Sequence, residues 1–216
     1  WTLIDAGIGG ERPRFTHAFT AGGLALGLGT FLPAPIINVI CRGAANKLTG
    51  RSGIRGAVSG GFDQAADLAM TVLLAVPAAV ALALDNNINV FVLGAPAVLL
   101  GGLGVICLVP NLARSAILPQ WTRRFAKLQL FSSRAVLLKI YVISALRLLN
   151  LSLLTLMVHF ASEAGTVPAL LIAVPLVTLA ISVSMLPGAF GSSEWSFTAV
   201  LAQFGIGNDE IVRFIL

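Results

Sequence analysis

The chain has 216 residues, 57% of them apolar and only 11% charged, with a mean hydropathy of +0.93. Soluble domains carry about 25% charge, so this deficit, with several apolar runs near or above ~18 residues, excludes an ordinary water-soluble domain. The net charge of +5 does not argue for nucleic acid. The basic residues lie in loops between apolar runs, as the positive-inside rule expects, and a basic, aromatic-rich soluble face is absent.

The expected fold is an all-α integral membrane protein, a polytopic helix bundle with broken or re-entrant helices. Residues 1–15 are a polar connection carrying Asp5, Glu11, Arg12 and Arg14. From Phe15 to Ile40 the chain is apolar and glycine-rich. Pro33 and Pro35 remove helix donors and push their preceding residues out of the α region. A break is therefore expected near Leu32, in either a kinked span or a re-entrant half-helix. Arg42 to Arg55 reads as a basic loop, with Arg42, Lys47, Arg51 and Arg55 and no acid.

Ala57 to Leu84 is the next span. Its start is polar (Asp63, Gln64, Asp67), and Leu68 to Leu84 is uninterrupted apolar sequence containing Pro77. Asp85-Asn86-Asn87 is a turn, and Ile88 to Pro110 a 23-residue span with glycines at 94, 101, 102 and 104. Those glycines are expected to serve close helix packing. Arg114 to Lys139 is a second basic stretch interleaved with Trp121, Phe125, Leu128, Leu130 and Phe131. It reads as an amphipathic interfacial helix on anionic lipid headgroups.

Ala135 to Phe160 is a span with Arg147 and Asn150 near its middle, and Val167 to Met185 one with Pro168 and Pro175. Ser196 to Phe204 is a short apolar helix, Gly205 to Glu210 a turn, and Ile211 starts a further segment. Residue 1 is Trp and the chain stops in an apolar segment, so both ends read as cuts in a longer protein. The whole of 1–216 is expected to be one transmembrane domain.

Loop charge sets the expected orientation. The loops at 42–55 and 113–134 hold four and five basic residues and no acid, whereas the turns at 85–87 and 161–166 hold none. The basic loops are placed in the cytoplasm and the two turns outside. The expected location is multi-pass in the cell's inner membrane.

The most informative stretch is Leu186-Pro187-Gly188-Ala189-Phe190-Gly191-Ser192-Ser193-Glu194. It ends an uncharged span in a backbone-exposing loop and then a carboxylate. Irregular backbone persists in a membrane only under cover of protein or water, and an ionisable residue there is a functional-site hypothesis. Free N–H groups at Gly188 and Gly191, before a helix starting at Ser192, suit an anion. Glu194 in the first turn complements the helix dipole, or binds a cationic headgroup. Arg147, at mid-span, costs at least ~2.5–3.5 kcal/mol unless partnered. Its partner would be Glu194, Asp67 or a substrate phosphate. Gly29 to Asn38 echoes Ser182 to Gly191, both broken at Leu-Pro-small. Such a pair points to a site at the interface of an inverted repeat.

At these residues the chain resembles the transmembrane region of the lysylphosphatidylglycerol synthase family, the flippase-like domain family. Residues 186–194 are similar to its Pro-Gly-Gly-x-Gly-x-x-Glu signature, with Ala189 in place of the second glycine. Leu32-Pro33 with Arg42 downstream resembles Leu-Pro-x-x-x-Gly-Glu-x-x-Arg, with Ile37 and Asn38 at the Gly-Glu positions and the arginine one place late. Asp63-Gln64-Ala65-Ala66-Asp67 resembles Glu-Arg-x-x-Asp. The resemblance implies movement of a polar or charged lipid between leaflets. It places Pro187, Gly188, Gly191, Glu194, Arg42, Asp63 and Asp67 at the site, beside Arg147. The aminoacyl-transfer domain of the full synthases has no counterpart here. A partner synthase or a homo-oligomer is the expected assembly, and a non-transporting scaffold that recruits such an enzyme is the rival reading.

No catalytic constellation stands out. His17 and His159 are isolated, Cys41 and Cys107 have no CxxC neighbour, and Ser192-Ser193 has no adjacent base. Serine at a helix start is more simply a cap. No Walker-type loop occurs. A transporter without cofactor or metal is expected.

Overall fold

A computed structural model describes residues 4, 15–28, 31, 33–114, 133–162, 165–184 and 191–215. Residues 115–132 of the interfacial helix expected from Arg114 to Lys139, all of the polar connection 1–14 except residue 4, and the loop 185–190 lie outside them; Arg134 to Lys139 belong instead to the helix Arg134–Ser162. Helix accounts for 89% of the described residues, with no strand among them. The helices are α1 Phe15–Leu28, α2 Ala34–Leu48, α3 Gly53–Ala83, α4 Ile88–Arg114, α5 Arg134–Ser162, α6 Val167–Ser184, α7 Ser192–Gln203 and α8 Asn208–Ile215. Four of them are long and apolar enough to cross a membrane: α3, residues 88–111 of α4, α5 and α6.

Each of these four starts at a polar side chain that caps it. Ser52 Oγ accepts the Arg55 N–H, Asn87 Oδ1 the Asn89 N–H, Ser133 Oγ the Val136 N–H, and Thr166 Oγ1 the Ala169 N–H. A capping oxygen satisfies one of the four N–H groups a helix start leaves orphaned. Inside the apolar helices, hydroxyls turn back to the preceding turn. Ser152 donates to the Leu148 carbonyl, Thr155 to Leu151, Thr178 to Val174 and Ser182 to Thr178. That leaves no hydroxyl proton of these four to lipid.

The expected loop from Arg42 to Arg55 is mostly helical. Arg42 to Leu48 closes α2 and Gly53 opens α3, leaving only residues 49–52 as a turn. Gly50 takes φ +76° there, and the Thr49 hydroxyl donates to the Ala45 and Asn46 carbonyls. Absence of acid in that stretch signalled charge, not irregular backbone.

Two compact units organise the contacts: residues 1–67 with 101–143, and residues 68–100 with 144–216. In the first, α1 packs on α2 through Ala25, Ile37 and Cys41. The first half of α3 meets α2 with almost no side chain between them. A Cβ on Gly56 would lie 2.4 Å from the Arg42 carbonyl oxygen, and one on Gly60 2.9 Å from the Val39 Cα. Small residues allow this approach, and dispersion between backbones rewards it. Gly102 of α4 likewise meets the Tyr141 ring of α5, while Gly101 and Gly104 have nothing within 4 Å.

In the second unit, Ala169, Leu170, Ala173 and Val177 of α6, Leu201 of α7, and Ile211 and Phe214 of α8 form one buried cluster. Ala78 and Ala81 of α3 pack on Ile172, with Phe91 and Phe204 alongside. Gly94 of α4 sits against the Pro77 ring. The turn after α3 holds Asp85 and Asn86 at φ 55° and 59°. The Asn86 amide there donates to the Gln203 carbonyl at 2.7 Å, tying the turn to the end of α7.

Candidate functional site

Two polar places stand out, one in each unit. In the first unit, Arg42 and Asp63 form an ion pair across the α2–α3 contact, both largely buried. Gly60 lies against the Arg42 stem, and Asn46, also buried, faces Gly56. Asp67 is half-buried one turn beyond Asp63. A buried charge is costly unless a partner and hydrogen bonds replace its water. The glycine surface brings the two chains close enough for that pairing. The sequence marked both residues but did not pair them. Gly56-x-x-x-Gly60 was the available signal of a close helix contact.

In the second unit, Glu194 is the third residue of α7, and Gly191, at φ +77°, is its N-cap. Glycine supplies no capping oxygen. The Glu194 carboxylate instead accepts the Ser193 hydroxyl at 2.7 Å. That bond first, then its own backbone N–H and that of Gly191, hold the carboxyl below its ordinary value of 4.5 against a smaller opposing effect of burial. A glutamate at the third position that reaches back to the N-cap N–H is one half of a capping box. α7 lies outside the four candidate spans.

Glu194 and Ser193 open onto a pocket of about 260 Å³ shared by α5, α7 and α8. Its walls are Leu154, Val158, Phe197, Phe214 and Ile215, with Thr155 as the other polar group. Phe197 and Phe214 meet edge to face at 5.2 Å. Both hydroxyl protons are already spent, that of Ser193 on Glu194 and that of Thr155 on the Leu151 carbonyl. The side chains therefore offer the interior only acceptors and one negative charge. Such a lining suits a cation with an apolar body and disfavours an anion.

Arg147 stands one residue from the centre of α5, which runs from 134 to 162, and its side chain is exposed. The Glu194 carboxylate accepts a hydrogen bond from the Ser193 hydroxyl. Leu154 follows Arg147 by seven residues, two helical turns, so both lie on one stripe of α5 about 10.5 Å apart along its axis. Pro187 and Gly188 lie outside the described residues. Sequence reading missed Thr155, Phe197 and Phe214, which carry no motif and meet only through the packing of three helices. Among the described residues, no group of three or more His, Cys, Asp or Glu could hold a metal ion. Comparison with known proteins finds no matching family model, no matching curated protein and no matching solved structure.

Proposed function

We propose that the chain belongs to a multi-pass protein of a cell's inner membrane that moves a polar or charged lipid between leaflets, with the Glu194 pocket receiving a cationic headgroup. The pocket's composition carries this reading: one ionised carboxylate, no free hydroxyl donor, and walls of five apolar side chains. A headgroup ammonium would meet Glu194 while its carbon chain replaces water on Phe197, Phe214 and Val158. In this reading Arg147, on the same stripe of α5 two turns away, would take the lipid phosphate.

The reading includes a re-entrant α1–α2 pair. At 14 residues, α1 is about 21 Å long, short of the ~30 Å hydrocarbon core, and it packs back on α2. The echo between 29–38 and 182–191 would make this pair the counterpart of the loop before α7. A site formed by broken helices is the expected architecture for such transport.

The test is reconstitution into vesicles with headgroup-labelled lipid, followed by leaflet accessibility, for wild type, Glu194→Gln and Arg147→Ala. Wild type is expected to equilibrate a cationic lipid, and both variants to slow it. Equal accessibility in protein-free vesicles and in all three proteins overturns transport and leaves the scaffold.

A further inference from the structure

The tip of the α2–α3 hairpin combines charge and exposed hydrocarbon. Leu48 is 84% and Ile54 79% exposed, on either side of the turn at 49–52. Lys47, Arg51 and Arg55 flank them, and no acid occurs between residues 12 and 62. Arg42, the fourth cation of this stretch, is committed to Asp63. The tip therefore carries three cations close in sequence to two protruding aliphatic side chains.

Two stripes of exposed apolar surface lead to it. On α2, Ile36 and Ile40 precede Leu48. On α3, exposed apolar residues recur as Ile54, Val58, Leu68, Val72, Val76 and Val80. Steps of four residues from Ile54 to Val58 and from Leu68 to Val80, with ten residues between Val58 and Leu68, keep them on one side of the helix. From Ile54 to Val80 they cover about 39 Å at ~1.5 Å per residue, more than the ~30 Å hydrocarbon core. Helix α3 thus carries lipid-type surface beyond the core thickness. A helix in this position tilts, or lays its excess in the interface. The three cations supply complementarity to anionic headgroups at that level.

We propose that the α2–α3 tip docks in the anionic interface of the bilayer that holds the spans, with Leu48 and Ile54 inserted below the headgroups and Lys47, Arg51 and Arg55 at the phosphates. This goes beyond purely electrostatic contact of a basic loop, which salt would screen away. It does not depend on lipid translocation. The function of the contact is to set the depth and tilt of the glycine-packed hairpin.

An environment-sensitive dye at Leu48→Cys or Ile54→Cys, in a Cys41→Ala, Cys107→Ser background, tests it in nanodiscs. Leu68→Cys reports insertion of α3. With phosphatidylglycerol present, emission at 48 and 54 is expected to shift to the blue and to resist aqueous iodide, and to keep part of that protection in high salt. Phosphatidylcholine alone, or Lys47→Gln, Arg51→Gln and Arg55→Gln together, should weaken it. Water-like emission in both lipids overturns the proposal. So does protection that ignores lipid charge and grows with protein concentration, which would assign the tip to a second copy of the chain.

Discussion

Arg42 on α2 and Asp63 on α3, 21 residues apart in the chain, form an ion pair with both side chains largely withdrawn from solvent. Removing one partner leaves the other as a buried lone charge, at a cost of about 3–5 kcal/mol. Arg42→Ala and Asp63→Ala should each lower the unfolding midpoint in detergent by that order. The double variant Arg42→Ala/Asp63→Ala should cost less than the sum of the two. Additive losses would show that the pair is not coupled.

The same interface predicts which glycines resist a methyl group. Gly56→Ala forces a Cβ against the Arg42 carbonyl and should destabilise by about 1–3 kcal/mol through overpacking. Gly61, one residue past Gly60, has nothing within 4 Å. Gly61→Ala should be neutral, or stabilising by up to ~1 kcal/mol from helix propensity. Thermal unfolding of the two variants side by side checks the contrast.

Asn86 combines a left-handed backbone with a hydrogen bond to Gln203. Asn86→Gly keeps the backbone conformation and removes only the bond, at about 1 kcal/mol. Asn86→Ala adds the left-handed penalty of roughly 1–2 kcal/mol. Amide hydrogen exchange at the end of α7 should speed up in both and further in the alanine variant.

The pH dependence of the pocket follows from the Glu194 carboxyl, whose value is depressed by the Ser193 hydroxyl and the first-turn N–H groups. A depressed carboxyl stabilises the folded helix start above its unfolded value and loses that contribution as pH falls through the folded one. Binding of an alkylammonium probe, followed by Trp195 fluorescence, should therefore persist from neutral pH down past 4.5 and fail only below it. Ser193→Ala should move the loss to higher pH. Glu194→Gln should remove the ammonium preference at every pH.

Topology has a simple check. A thiol-reactive probe should reach Lys47→Cys and Asn87→Cys from opposite sides of a sealed membrane, because α3 runs between them. Reaction of both from one side would show that α3 does not cross.

Membrane-type composition and the four long apolar helices were legible in the sequence, because hydrophobic runs of this length have one stable outcome in lipid; the start of α3 at Gly53 was not, because its first turn lies in a stretch read as a basic loop. Arg42, Asp63 and Glu194 were also visible, as charges too sparse to be surface decoration. What they face was not. The pairing of Arg42 with Asp63 depends on glycines that let α2 and the first half of α3 touch. The apolar walls around Glu194 come from residues as far apart as Leu154 and Ile215. A sequence determines local periodicity and where charge falls along a helix. Only packing in three dimensions decides which charge is neutralised by a neighbour and which one, like Glu194, is left facing a pocket.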